Sequence, residues 1–414
     1  MMARYPGRFG GHVYIAEVGR EASVRRGGRV AGNVLALGTV SLITDVSAEM
    51  VTAVLPLYLV LAVGLSPLQF GVLDGLYFGV TALVRLGGGW LADRGRRRKL
   101  VAGIGYALSA LAKPALLLAG GSAAGLGAAV AADRVGKGLR SAPRDALIAA
   151  SGRPESLGRA FGVHRAMDAV GAFCGPLVAF AVLWAAPGAY DAVFVVSGCV
   201  AVFGVLVFAA AVRDRREEAV RPRARASWRS DRRVWAACAC AALLGLVTIS
   251  DAFVYLMLQE RLGLAAHWFP LLPLGTAGAF LLLAVPFGRL ADRRGRVGVF
   301  LGGHLALLAV YALLAGPVSG TALLVAVLAL HGVFYAATDG VLMALAGPLL
   351  AEESRAGGLA VLQTAQALGR FASSVLVGLL WTVWSREAAL WAAAGGLVVA
   401  VAVSAALLTR RVTA

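Results

Sequence analysis

Asp133, Lys137, Arg140 and Arg144 recur at i, i+4, i+7 and i+11, which places them as one charged stripe along a single helix. Asp45 and Glu49 stand one turn apart, as do His164 and Asp168, while Gln363, Gln366 and Arg370 share a face at i, i+3 and i+7. On a soluble surface such groups would be ordinary. Here each lies in an apolar run long enough to cross a bilayer, where an ionisable side chain is costly and normally faces protein or water. An acid in that setting changes protonation as an arginine or another cation approaches or leaves. The chemistry open to the set is therefore reversible proton binding. Asp45, Glu49, Asp133, Asp168, Asp251 and Asp339 are the candidate proton carriers, with Asp45 and Asp168 preferred and Arg134, Arg140 and Arg165 as tuning partners. Arg134, Lys137, Arg140, Arg144, His164, Arg165, Gln363, Gln366 and Arg370 are the candidates for lining a polar cavity. For each residue the simpler alternative is a fixed internal ion pair.

Other site chemistry has weaker support. His164-x-x-x-Asp168 has the spacing of two metal ligands, but no third or fourth ligand is evident, so no metal is expected. Gly136-Lys137-Gly138 lacks the Ser/Thr and upstream glycine of a phosphate loop. Cys174, Cys199, Cys238 and Cys240 lie inside apolar stretches and read as free thiols. His304 and His331 read as packed helix residues, and Trp381 and Trp384 as anchors at a membrane interface. No cofactor is implied.

The elements that position these residues follow from composition. Of 414 residues, 59% are hydrophobic and 15% charged, and the mean hydropathy is +0.79. Soluble domains are about 45–50% apolar and about 25% charged. A soluble enzyme, a coiled coil and a disordered tail protein are thereby excluded. One span needs roughly 20 apolar residues, and the chain supplies twelve such runs. They fall near 32–63, 68–91, 100–119, 122–149, 159–185 and 190–212, then 234–259, 266–290, 297–315, 319–349, 357–384 and 388–409. The expected architecture is an all-α integral membrane protein.

Its net charge of +17 invites a nucleic-acid reading, which the placement of the charges opposes. Arginine and lysine crowd the breaks after the second, sixth and eighth runs: Arg94 to Lys99, nine arginines within 213–233, and Arg293 to Arg296. The intervening breaks carry few charges or none. Basic residues stay on the cytoplasmic side, so both termini and the 213–233 linker are expected in the cytoplasm. Residues 1–30 hold six arginines without the apolar core of a signal peptide, and read as a basic cytoplasmic arm. Only Lys99, Lys113 and Lys137 are lysines, which with the alanine and glycine excess suggests a GC-rich bacterial genome. Lys113 and Asp191 lie near span ends and are expected to reach toward the interface.

The linker divides the chain into near-equal halves, 31–212 and 234–414, each with six spans. Gly89-Trp-Leu-Ala-Asp93-Arg94 closes the second span of the first half, and Gly288-Arg-Leu-Ala-Asp292-Arg293-Arg294-Gly295-Arg296 that of the second. Asp45 has an apparent counterpart in Asp251. Duplication is the expected origin.

With these motifs the chain resembles the major facilitator superfamily of secondary transporters, over about residues 31–410. The two copies are similar to that family's G-x-L-A-D-R-x-G-R-R loop. The first has Arg96 where the later glycine belongs, and the second has Val297 in place of a basic residue. The resemblance implies a gating role for Asp93, Arg94, Asp292, Arg293 and Arg296, against the alternative of cytoplasmic anchor charges. Asp133-Arg134-Val-Gly136-Lys137-Gly138 and Gly171-Ala-Phe-Cys-Gly175-Pro176 resemble motifs of its drug–proton antiporter branch. Glycines four apart also let helices approach closely, so packing alone would explain Gly171 and Gly175. The implied fold is two pseudo-symmetric six-helix bundles with the third helix of each triplet peripheral, a distribution the charges obey.

The expected function is alternating-access transport of a small organic solute, proton-coupled and exporting, by a monomer in a bacterial inner membrane. Uptake by symport or facilitated diffusion of an organic anion or metal chelate is the rival within transport. A non-transporting receptor or a membrane-embedded transferase is the rival outside it. The former lacks a sizeable soluble domain, and the latter lacks a nucleophile or His/Asp set at a span end, so no enzyme activity is expected.

Overall fold

The computed structural model describes residues 31–94, 98–151, 157–214, 231–350 and 355–411, with backbone alone for 85–94, 355–356 and 409–411. Helices α1 (Gly32–Leu57, extended by a π turn over Tyr58–Ala62), α2 (Pro67–Arg94), α3 (Arg98–Leu118), α4 (Ala123–Ser151), α5 (Leu157–Ala185) and α6 (Tyr190–Ala211) form the first half. The second comprises α7 (Arg232–Leu246), α8 (Asp251–Leu262), a 3-10 turn over Ala266–Leu271, α9 (Leu272–Arg294), α10 (Arg296–Ala315), α11 (Gly320–Ala346), α12 (Arg355–Val383) and α13 (Arg386–Arg411). Helices α7 and α8 make one interrupted crossing, so twelve crossings stand among the described residues. In hydrocarbon every backbone N–H and C=O must be satisfied within the segment, which makes a helix the only form open to such runs. Eleven of the crossings are long and apolar enough to span a membrane. The twelfth, α4, falls short because its charged stripe dilutes it, and it survives by turning that stripe inward: Arg134, Arg140 and Arg144 are all buried.

The duplication is visible in how helices pair. In the first half α1 packs on α5 and α6, α3 on α4 and α6, and α2 on α4. In the second, α7 packs on α12 and α13, α10 on α11 and α13, and α9 on α11, which is the same set of pairings. Across the halves α2 packs on α12, and α5 packs on the 3-10 turn and α9, again a symmetric exchange. Large apolar side chains such as Leu111, Leu118, Phe203, Leu206 and Leu282 are exposed on the outer faces. A soluble protein rarely presents so much apolar surface, whereas lipid covers it without cost.

The crossing expected over 234–259 is broken at 247–250. Ser250 caps α8 by accepting from the Phe253 N–H (3.4 Å). Tyr311 of α10 stitches the break, its hydroxyl accepting from the Ile249 N–H (2.7 Å) and donating to the Val247 carbonyl (3.1 Å). The interruption leaves Asp251 in the first turn of α8, facing the space between the halves.

The halves are joined at the end of the molecule remote from the chain termini. Leu68 donates to Thr382 (3.0 Å), and Phe70 meets Phe253 edge to face at 4.8 Å. Phe180 and Trp184 of α5 meet His267 and Trp268 of the 3-10 turn in tilted and edge-to-face ring contacts.

Candidate functional site

Beneath this closed end lies a cavity of about 420 Å³ between the halves. Glu49 of α1, Asp74 of α2, Asp251 of α8 and Asp339 of α11 line it, amid Phe70, Tyr77, Phe78, Tyr255, Phe269, Phe280 and Tyr335. Four carboxylates and seven aromatic rings converge there, and no lysine, arginine or histidine is among the described lining residues. A second lobe of about 240 Å³ adjoins it, sharing Tyr77 and Phe78, and its charged lining is Arg134 and Lys137, with Gln363 beside them.

Each acid is held differently. Asp251 accepts from the Tyr335 hydroxyl (2.6 Å) and lies 3.3 Å from His331 Nε2. Arg370 approaches the Tyr335 hydroxyl at 3.5 Å and lies over the Phe78 ring at 5.9 Å. Asp74 accepts a hydrogen bond from Ser374 of α12 (2.6 Å), so this acid of the first half is tethered to the second. Glu49 and Lys137 stand 3.8 Å apart, too far for a hydrogen bond. Asp339 is exposed and has no hydrogen bond or ion pair among the described residues.

The preferred acids sit elsewhere. Asp45 lies one turn nearer the termini than Glu49 and pairs with Arg140 at 3.6 Å, whose guanidinium covers the Tyr106 ring at 4.7 Å. Arg144 binds Asp145 (3.0 Å) and donates to Ser41 (3.1 Å). His164 Nδ1 and Asp168 are 3.4 Å apart, and neither His164 Nε2 nor Asp168 Oδ1 has a hydrogen-bond partner among the described residues. Arg165 is exposed. These residues form a polar array among α1, α4 and α5, and neither Asp45 nor Asp168 lines the cavity. Gly171 and Gly175 set how closely α5 approaches this stretch of α1. A Cβ on Gly171 would stand 3.2 Å from that of Asp45, and one on Gly175 2.7 Å from that of Glu49, so α5 closes directly over the acidic turn of α1. Pro176 is buried in the same contact region.

Lys113 departs from expectation most clearly. Instead of reaching toward an interface it is 3% exposed and pairs with Asp133, which also pairs with Arg134. A small-residue crossing makes this possible, since α3 meets α4 with Gly105 against Gly136, and the lysine stem follows that seam inward. Asp133 is thus a shared counter-ion between two helices and is not a lining residue of either lobe. Arg134 carries its remaining charge over the Tyr77 ring at 4.0 Å. His304 is a packed histidine, hydrogen-bonded to the Phe300 carbonyl at 2.8 Å. His331 is as deeply buried but faces Asp251, a role beyond packing. Gln363 lines the second lobe, whereas Arg370 lines neither and stands behind the first through Tyr335, and Gln366, expected on the same face, is half-buried and also lines neither.

The expected counterpart of Asp45 also changes. The offset that aligns Asp93 with Asp292 matches Asp251 to Thr52, and both line the cavity. Asp74, left off the candidate acids, is the main omission. Its signal is a stripe of Phe70, Asp74, Tyr77, Phe78 and Thr81 on one face of α2, an acid in an aromatic row. Of the loop motif, the side chains of Gly89, Asp93 and Arg94 lie outside the described ones. In the second copy Gly295, at φ +98°, makes the entire turn between α9 and α10. Arg296 donates to the Ala344 carbonyl (2.7 Å) and pairs with Asp292 at 3.4 Å. Arg293 and Asp292 are exposed, and Gly288 is half-exposed with open space beside it.

A cavity shared by two duplicated six-helix halves is an arrangement with known relatives. The Major Facilitator Superfamily model matches residues 37–284 and 271–414. The chain belongs to the major facilitator superfamily. An uncharacterized MFS-type transporter of Methanocaldococcus jannaschii is 27% identical over 381 residues, covering 89% of this chain and 93% of the relative. Among solved structures, the peptide transporter POT in complex with sulfate superposes with a TM-score of 0.76 at 15% identity, over 92% of this chain and 95% of that one. A bacterial homolog of the human lysosomal transporter Spinster, in an inward-facing and occupied conformation, gives 0.72 at 16% identity, over 93% and 98%. These likenesses establish the superfamily's fold of twelve transmembrane helices in two pseudo-symmetric bundles. The protein is a multi-pass membrane protein of a transporter family.

Proposed function

We propose that this superfamily member is a proton-coupled antiporter that exports a small organic solute by alternating access. The observation that carries the reading is the central cavity, where both halves contribute ionisable groups to one solute-sized space. A fixed scaffold has no use for four carboxylates between two bundles, whereas a carrier must exchange charge there as access switches. Packing at the end remote from the termini, together with basic loops at the other, supports an inward-facing state in a bacterial inner membrane with both termini cytoplasmic. The basic arm 1–30, the bundles 31–212 and 234–414 and the linker 213–233 are the units of this reading. The monomer contains the whole pathway.

Protons would enter at the cavity acids Glu49, Asp74, Asp251 and Asp339 and pass by way of Asp45–Arg140 and His164–Asp168, which extend toward the termini. Rocking of one bundle against the other would part these pairs and free a carboxylate to take a proton. The test is proteoliposome transport with a pH indicator in the lumen. Solute entry is expected to alkalinise the lumen, and Asp45→Asn with Asp168→Asn to abolish that signal while leaving expression intact. Lumenal acidification on solute entry would establish symport and overturn the reading, as would an unchanged signal in both variants.

A further inference from the structure

The cavity is electrically two-sided, and we infer that its cargo is as well: a zwitterion whose amine occupies the acidic lobe and whose carboxylate, or another single anionic group, occupies the basic lobe. This deepens the carrier reading above and rests on it. In the larger lobe Asp339 is the acid without a hydrogen bond or ion pair among the described residues, Arg370 acting on it only through its field, and it lines the space together with the rings of Tyr335 and Phe280. A carboxylate framed by aromatic faces is the environment that binds an organic ammonium. Across the Tyr77–Phe78 wall the signs reverse. Arg134 is 4% exposed and its Nε–H has no hydrogen-bond partner among the described residues. Its terminal nitrogen is held by Asp133, but Lys113 shares that same acid, so one positive charge remains unbalanced in the trio. Lys137 makes only a long 3.8 Å approach to Glu49, and the Gln363 amide has a weak 3.6 Å contact with the Met343 sulfur. Lys137 and Gln363 therefore line the smaller lobe without a strong acceptor, beside an arginine whose buried Nε–H is unmet, and a buried unsatisfied N–H is costly until something fills its place.

A cation alone would leave these donors unmet, and an anion alone would leave Asp339 unmet beside three further carboxylates. A molecule bearing both groups satisfies both lobes at once, with its apolar body against Tyr77 and Phe78, which belong to both. Volumes of about 420 and 240 Å³ suit a soluble molecule of a few rings and do not accommodate a two-tailed lipid.

The discriminating probes are an aminomethyl-biphenyl carboxylic acid, its carboxamide and its N-acetyl derivative, which share one body and differ in charge. Their binding to the full-length, detergent-purified protein is measured by calorimetry without a pH gradient. The parent zwitterion is expected to bind about tenfold tighter than either derivative, the worth of one charge-assisted contact. Lys137→Gln should erase the preference over the carboxamide while leaving the carboxamide affinity unchanged, which also shows that the variant is folded. Asp339→Asn should erase the preference over the N-acetyl form in the same way. Equal binding of the zwitterion and the carboxamide to the unaltered protein would overturn the assignment, as would equal weakening of both by Lys137→Gln. Solute counterflow in proteoliposomes with no binding of the three probes would overturn the zwitterion assignment and leave the carrier standing. Absence of counterflow with every solute tried would overturn both.

Discussion

Lys113, Asp133 and Arg134 give the sharpest test of how the first bundle tolerates charge. Lys113 is 3% exposed and the Arg134 side chain 5%, with Asp133 between them. Asp133→Asn leaves two buried cations facing a neutral amide, with Arg140 on the same helix adding to the repulsion. Breaking a buried pair by removing one partner costs about 3–5 kcal/mol, and two cations are stranded here, so the loss should fall at the upper end. Lys113→Met removes one cation, preserves the stem that follows the α3–α4 seam, and leaves Asp133 paired with Arg134. Its cost is the single charged hydrogen bond, about 1.5–3 kcal/mol. The double variant strands only Arg134, which still lies 4.0 Å from the Tyr77 ring centre. It should therefore be more stable than Asp133→Asn alone, with a coupling of about 1–3 kcal/mol between the sites. Reversible unfolding of the purified protein in mixed micelles measures all three. A lysine that merely reached toward the interface would give a neutral Lys113→Met and losses that add within about 0.5 kcal/mol, and that pattern would refute the buried trio.

Two other expectations are independent of it. Asp74→Asn keeps an oxygen to accept from Ser374 but removes the charge, so it should cut pH-gradient-driven transport by about tenfold and spare counterflow at symmetric pH; equal losses in the two assays would show that Asp74 is only part of the inter-bundle tether. Tyr311→Phe removes the hydroxyl that satisfies two backbone groups at the break in the seventh crossing, and should cost about 1–3 kcal/mol in the same unfolding assay; an unaltered stability would mean that the break holds itself.

The positions of the crossings were legible because lipid imposes a single rule on every segment: an apolar run of sufficient length must be helical. Each of the twelve expected runs has a helix within a few residues. The exception is internal, at 247–250, where the β-branched run Val247-Thr-Ile and the capping pair Ser250-Asp251 were the available signal. Site chemistry was legible only along each helix, as with the stripe of α4. Which neighbour a charge meets depends on how two helices cross, and that is decided by small residues whose meaning is pairwise. Gly105 and Gly136 admit Lys113 to Asp133, and Gly171 and Gly175 bring α5 down over Asp45 and Glu49. Spacing along α1 could not rank Asp45 against Glu49, since both stand on one face. One turn further along α1, Glu49 reaches the cavity that Asp45 does not. The same reasoning restores Asp74: an isolated acid in the second span acquires significance once the α2–α12 crossing brings Ser374 within 2.6 Å. If small residues at the crossings govern which acids meet the solute, then enlarging Gly175 should disturb Glu49 more than any substitution on the lipid-facing side of α5.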